Sequence, residues 1–534
     1  MKTAFTSLFL FATFVASHAQ NAFDLQLDTF TLPGLPGLHS FAVAQHDGKW
    51  LLLGGRKDGL HPKSGGFQTS AANHAIYVVE PLSGQVFQKQ ITELPDTLQE
   101  QLRSANMEFF QHGETLLFAG GYGRSETVQE YITYPYLTLI DVPGLMNAVV
   151  QNDSLLPHFQ QVRDTFFAVA GGQLEVLSDT FCLVGGHRFE GIYAANSGGN
   201  ILQFYTNAIR KFTLETTANG WQVTHKSQVI DELNLHRRDY NLAPQILENG
   251  EPGLVAFSGV FQPGQALLPF LNAVEIRPSG HSPVNGFSQF LANYHCAKAP
   301  LFSQSANEMH TLFFGGMSQY HLNANDSLIQ DNRIPFVKTV SRVSRLAGGS
   351  YEEVAFDAEL PFFTGTSAEF LFAEGVPLLP NGVADLDALP DSSSLLGYLV
   401  GGIVTPGAQP NPFTANLTGI TSASNLLIKV FLDKSQVSAS PAQPVGGRFD
   451  LGLTVFPNPA TDALNLRLHL PKPGWLRFFL QNMEGKIVRQ FVLENQPAGE
   501  VNFSLPTGDL SGGTYWLTAI AGGVFMETQT VLKF

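Results

Sequence analysis

Two cysteines, Cys182 and Cys296, in 534 residues cannot build a disulfide framework. Both lie in apolar, strand-like runs, where a free thiol packs as a small hydrophobe. Charge is scarce as well: 14% of residues are Asp, Glu, Lys or Arg, against 44% hydrophobic. That balance excludes disorder over most of the chain, because there is ample apolar surface to offset the entropy of ordering. Basic residues are outnumbered, 30 to 45, for a net charge of −15. A nucleic-acid partner is therefore not expected, since it needs a basic footprint. Beyond the first twenty residues no apolar run approaches the roughly 20 residues that span a bilayer, so no transmembrane segment is expected. The chain also lacks an HExxH metal pair, a GxSxG nucleophile elbow, a P-loop and an EF-hand run. Asp385, Asp387 and Asp391 cluster in one loop without the Gly and Glu spacing of a calcium loop. No metal and no cofactor is expected.

What is present begins with an address. Met1-Lys2 is followed by an apolar stretch from Phe5 to Val15 and the small-x-small run Ser17-His18-Ala19. Residues 1–19 read as a secretory signal peptide, which implies export.

Glycine and phenylalanine are plentiful, 51 and 43 residues, and much of the glycine falls in one recurring pattern. An apolar strand ends in a Gly pair six times: Trp50 to Gly55, Leu116 to Gly121, Phe181 to Gly186, Leu254 to Gly259, Leu312 to Gly316 and Tyr398 to Gly402, with Ser258 replacing one glycine. Gly171-Gly172, Gly198-Gly199 and Gly348-Gly349 fall outside the pattern. Each copy has a polar turn before the Gly-Gly strand, such as His46-Asp47-Gly48, and a further strand after it, such as Ala75 to Val79. A fourth strand often closes the unit, as in Trp221 to Thr224. Four short antiparallel strands per repeat make a propeller blade. The last copy lacks its fourth strand, and Phe23–Phe30, with alternating Phe23, Leu25 and Leu27, is placed to supply it and close a ring.

These Gly-Gly strands resemble those of Kelch-type β-propellers. The resemblance implies an all-β fold with a six-bladed Kelch-like propeller over residues 20–433. The units exceed the usual Kelch length of about 50 residues, which implies long insertions. Residues 434–452, with Ser-Ala-Ser-Pro-Ala-Gln-Pro, read as a linker. Residues 453–534 alternate strand-sized runs with turns, as an immunoglobulin-like β-sandwich does. Three of their segments are similar to the type A C-terminal sorting domain of type IX secretion: Val455 to Asp462, Met483 to Val488, and Leu510 to Leu517. The resemblance implies a Gram-negative bacterium of the Bacteroidetes type. It also implies partners in the type IX secretion machinery and its sortase, and a destination outside the cell or on the outer-membrane surface. The charge divides accordingly. Residues 453–534 carry six basic and six acidic side chains, leaving about −16 on residues 20–452.

In a propeller the loops leading into each innermost strand, and those after the Gly pair, crowd one mouth of the central channel. Read off the repeats, these positions collect Arg56, Arg103, Arg124, Arg163, His187, Arg188, Arg237, Arg238, His295 and Glu369. Guanidinium groups take carboxylates, phosphates and sulfates through paired hydrogen bonds. The expected function is a non-catalytic binding or adhesion module for a glycan or protein ligand. In a competing reading these Arg side chains pair with local acids such as Asp164, Asp239 and Glu369 and hold the units together. Kelch-type sialic-acid mutarotases, which use Arg and Glu near the axis, supply an enzyme alternative: chemistry on an acidic sugar with Arg238 and Glu369.

Overall fold

The computed structural model describes residues 22–61, 66–192, 201–218, 220–263, 265–325, 327–406, 420–435, 445, 451–522 and 524–534. The expected signal peptide, and most of the expected linker, lie outside these residues. The described chain is almost entirely β-structure.

Six antiparallel meanders of four strands follow one another along residues 24–433; a short fifth strand joins the third, fifth and sixth, running parallel to its neighbour in the fifth. The first consists of Ala42–His46, Lys49–Leu53, Ala75–Glu80 and Gln85–Gln90, paired in that order. The second is Glu108–His112, Thr115–Ala119, Tyr136–Asp141 and Phe159–Arg163. The third begins with Gln173–Leu177, the fourth with Asn241–Ile246 and the fifth with Ala297–Ser303, each in the same meander. The sixth combines Phe363–Phe372, Ser394–Thr405 and Leu426–Asp433 with the N-terminal strand Asp24–Thr31, which pairs antiparallel with Leu426–Asp433. The two ends of this region are thereby stitched into one sheet.

Apolar runs are unbroken in the second strand of each sheet because both faces are covered. Trp50 to Leu53 are all at most 1% exposed. Leu51 and Leu53 pack with Leu116 and Phe118 of the second sheet, while Trp50 and Leu52 pack with Tyr398 and Val400 of the sixth. The alternation of a strand thus sends successive side chains into two different cores. The same holds onward: Leu117 meets Leu183, Cys182 meets Leu254, Val255 meets Phe313, and Phe314 meets Leu399. Each fully buried Leu or Phe contributes roughly 2 kcal/mol. The two cysteines sit in separate cores and are free, buried thiols.

The Gly pairs end these strands in the left-handed region. Gly54, Gly55, Gly120, Gly121, Gly185, Gly186, Gly315, Gly316, Gly401 and Gly402 all have φ between +60° and +93°. Ser258 adopts φ +49° in the one copy without a leading Gly. There the chain meets the neighbouring sheet's backbone. The N–H of Gly55 donates to Ser104 O (2.8 Å), Gly121 to Val169 O (2.9 Å), Gly186 to Arg237 O (2.8 Å) and Gly259 to Asn293 O (2.9 Å). Gly402 donates to Leu38 O (2.8 Å), from the sixth sheet to the approach of the first.

Residues 454–533 form two further antiparallel sheets. One is Thr454–Phe456, Ala463–Leu470 and Gly499–Pro506; the other is Ile487–Gln496, Gly474–Asn482, Gly513–Ala521 and Phe525–Lys533. They enclose a single core that includes Leu466, Phe478, Leu505 and Leu517. This unit touches the fourth-sheet side of the body. Gln481 Nε2 donates to Asp231 Oδ1 (2.7 Å), Glu232 N–H donates to Gly485 O (2.9 Å), and Leu233 packs with Phe479 and Ile520.

Candidate functional site

One residue from the approach to each sheet joins a closed cycle of backbone hydrogen bonds. Asn106 N–H donates to Ser40 O (3.3 Å), Gly171 to Asn106 (3.0 Å), Asp239 to Gly171 (2.7 Å) and His295 to Asp239 (2.8 Å). Ser367 donates to His295 (3.0 Å), and Ser40 closes the cycle on Ser367 (3.1 Å). Five of the six, all but His295, have φ between +49° and +68°. Asn, Asp and Gly, which occupy three of these five positions, tolerate that conformation best. The collar lies between two cavities, which share Ser40, Asn106, Asp239 and His295.

The cavity on one side of the collar, here called the mouth cavity, has a volume of about 90 Å³. Its walls come from the residue before each collar position and from the residues just after the Gly pairs. His39, Arg238 and Tyr294 are of the first kind; Tyr122, His187 and Phe189 of the second. Phe261 contributes a further ring, with the Arg238 guanidinium 4.9 Å from its centroid. Arg238 Nη1 lies 3.5 Å from Asp239 Oδ2. His187 is buried, and burial, then the nearby Arg238 charge, hold its pKa well below the usual value; its Nδ1 is 2.6 Å from Gln203 Nε2. Burial likewise lowers His39, against the pull of Asp58. At neutral pH these imidazoles are neutral hydrogen-bonding groups, and Arg238 supplies the charge. Aromatic faces with a few placed polar groups are what a small-molecule site requires.

The chamber on the other side has a volume of about 280 Å³ and is lined by Glu108, Glu175, Glu369 and Lys298. His295 reaches both cavities, with Nε2 3.4 Å from Glu369 Oε1. Burial pushes His295 down to about 3 and Glu369 up to about 7. Among the described residues no group of three His, Cys, Asp or Glu is placed to hold a metal ion.

Of the ten residues singled out from the sequence, Arg238, His187 and His295 line the mouth, and Glu369 lies beneath the collar. The other six are elsewhere. Arg56 is buried and bonded through Nε and Nη2 to Asp58 (2.9 and 2.5 Å), under the Phe67 ring. Burial works against the Asp58 charge, but His39 at 3.6 Å and the hydrogen bonds from Arg56 hold its pKa at about 2. Arg103 ends the helix Asp96–Leu102 and binds Gln99. Arg124 lies over Tyr131 and donates to Gln129 Oε1 (3.0 Å). Arg163 is exposed at the end of an outer strand. Arg188 is exposed and paired with Glu190. Arg237 is fully buried; it donates to Asn234 O (2.6 Å), Ser258 O (2.6 Å) and both oxygens of Asn272, with its guanidinium over Phe270.

The repeat register explains the divergence. In the second and third units the collar falls at Asn106 and Gly171, not at Arg103 and Arg163: Arg103 is still the C-cap of the helix Asp96–Leu102, and the turn Thr165–Phe167 lies between Arg163 and Gly171. Gly171-Gly172, outside the strand-end pattern, belongs to the collar. Counting one residue past each Gly pair finds Tyr122 and His187, and counting on to the second and third finds Phe261 and Phe189.

Residues 454–533 match the family described as the secretion system C-terminal sorting domain. They are a type IX sorting domain. The chain is therefore exported, to the cell surface or beyond it, and its sorting domain is what the secretion machinery engages. No curated protein matches the chain. Among solved structures, the one described as "Structure of YjhT" is similar over 74% of this chain and 99% of its own, at 10% identity and a TM-score of 0.40. Sucrose-6-phosphate hydrolase from Lactobacillus gasseri is similar over 95% of this chain and 88% of its own, at 11% identity and a TM-score of 0.30. With both TM-scores below 0.5, neither likeness carries an argument about this chain. No helix among the described residues is long and apolar enough to cross a membrane.

Proposed function

We propose that this chain is an exported binding protein whose mouth cavity holds a glycan. In this reading residues 20–433 are a six-bladed Kelch-like propeller, residues 434–452 a linker, and residues 453–534 the sorting domain, which a sortase removes. The propeller reading is supported by the closed collar and by the six cores, the last of which joins the sixth sheet to the first. The observation that carries the binding reading is the mouth cavity, which the rings of Tyr122, Phe189, Phe261 and Tyr294 line together with Arg238, its guanidinium over Phe261. Sugars stack their C–H faces on aromatic rings and offer hydroxyls and carboxylates to polar groups between them. Arg238 favours sugars bearing a carboxylate or sulfate.

The test is a glycan array probed with the chain from Gln20 onward, alongside Tyr122→Ala and Arg238→Ala. The expected result is selective binding that both variants lose by at least about tenfold. Equal binding by parent and variants overturns the site. A second reading, an enzyme on an acidic sugar, is favoured by the His295–Glu369 contact of 3.4 Å, because His295 also lines the cavity that holds Arg238. Exchange NMR on a bound acidic sugar separates the two: accelerated anomer exchange that Glu369→Gln abolishes supports catalysis, and unchanged exchange supports binding alone.

A further inference from the structure

We propose that the chamber beneath the collar is a second binding site, for an elongated organic cation with more than one ammonium group, of the diamine or polyamine class. The proposal is independent of the glycan reading, because it concerns the opposite side of the collar.

Three carboxylates face this chamber from three different sheets: Glu108 from the second, Glu175 from the third and Glu369 from the sixth. One ammonium, Lys298 of the fifth sheet, faces them. Its charge favours ionisation of both Glu175 and Glu369, and its Nζ lies 3.4 Å from Gln173 Oε1. Asp239 at the collar has Arg238 at 3.5 Å on the mouth side. His295 beside Glu369 is kept neutral by burial and adds no charge. The chamber thus holds more carboxylate than cation.

Glu108 has the Arg210 charge favouring its ionisation and Asp239 opposing it, and one of its oxygens lacks a partner among the described residues. It is 1% exposed; its Oε1 accepts the Gly172 N–H (2.7 Å), while its Oε2 is buried with no donor among the described residues. A buried carboxylate oxygen without a donor is costly, and a ligand N–H is what satisfies it. Burial pushes Glu108 up to about 8 and Glu175 and Glu369 to about 7, so around neutrality the carboxyls share protons that a cation can displace. The shape of the charge decides the class of cation. Among the described residues no three ligating side chains converge tightly enough for one metal ion. A ligand with its charges spread along a chain reaches carboxylates on separate strands. The cavity volume, about 280 Å³, leaves room for one such molecule in extended form.

The test is isothermal titration of the full chain with spermidine at pH 7.5 and low salt, in phosphate and in Tris. Because the chain is acidic overall, surface attraction has to be separated from the chamber. The expected result is saturable 1:1 binding whose heat differs between the two buffers, because the carboxyls release protons as the cation enters. Glu108→Gln and, separately, Glu369→Gln each weaken binding by about tenfold or more and reduce the proton release. Asp391→Asn, at an exposed surface carboxylate, leaves it unchanged. Circular dichroism identifies any variant that fails to fold, in which case the other chamber variant decides. The proposal is overturned by non-saturable binding, by equal affinity in the parent and a folded chamber variant, or by binding without proton release. It is also overturned if calcium binds the chamber with the same stoichiometry and proton release.

Discussion

Replacing Gly120 with Ala tests whether the Gly pairs are where successive sheets meet. Gly120 has φ +63°, and a Cβ built on it would lie 2.0 Å from Val169 O and 2.7 Å from Phe167 O, both backbone atoms of the approach to the third sheet. Gly113, in the turn between the first two strands of the same sheet, has nearly the same φ, +59°, with nothing within 4 Å. The two substitutions therefore share a conformational cost, about 1 kcal/mol for placing Ala in the left-handed region. Only Gly120→Ala adds a collision that the backbone must move to relieve, on the order of 1–3 kcal/mol more. Equilibrium urea unfolding followed by near-ultraviolet circular dichroism should show Gly113→Ala losing about 1 kcal/mol and Gly120→Ala about 3 kcal/mol. A difference between them below about 0.5 kcal/mol, within the scatter of ordinary surface changes, would refute the reasoning.

Arg237→Ala leaves the carbonyls of Asn234, Ser258 and Asn272 without their buried donor. It should cost about 3–5 kcal/mol in urea unfolding, whereas exposed Arg188→Ala should stay within about 0.5 kcal/mol. Glu108 carries a pKa raised by burial to about 8 in the folded chain, against 4.5 ordinarily. Protonation therefore favours the fold at low pH, and that contribution is lost as pH rises toward 8. Between pH 5 and 8 the parent should lose up to about 4 kcal/mol that Glu108→Gln retains, as read from paired unfolding curves. Equal pH slopes in the two proteins would contradict this. Cys182 and Cys296 are buried, with thiols pushed up to about 11 and 12 by burial. Ellman's reagent should find no reactive thiol in the native chain at pH 8 and two after denaturation. Gly485→Val, whose side chain would begin 1.7 Å from Ile230 O, should detach the sorting domain from the body and raise the radius of gyration in X-ray scattering.

Much of the body was legible because one physical device is repeated. A strand buried on both faces is written as an unbroken apolar run, and a backbone forced to positive φ beside a neighbouring sheet is written as glycine. Even the completion of the last sheet could be read, from the alternation of Phe23, Leu25 and Leu27 in a segment with no other partner. The candidate site was less legible. The collar uses whatever tolerates its conformation, Ser40 in one unit and Asp239 in another, so it leaves no motif. Insertions of different length shift the apparent register, so the repeat spacing points to Arg103 and Arg163, which line neither cavity. Arg237 and Arg238 are adjacent in the approach to the strand Asn241–Ile246, yet one is locked into a buried carbonyl network and the other lines the cavity.

The sequence alone determined the β-rich composition, the six-fold recurrence, the export tail and the absence of a disulfide framework, because each is expressed in local pattern or in a contiguous motif. Only the tertiary structure decided which charges meet. Glu108, Glu175, Glu369 and Lys298 stand on four strands spread over more than 250 positions of the chain, and no local rule couples residues so far apart until the sheets bring them around one chamber.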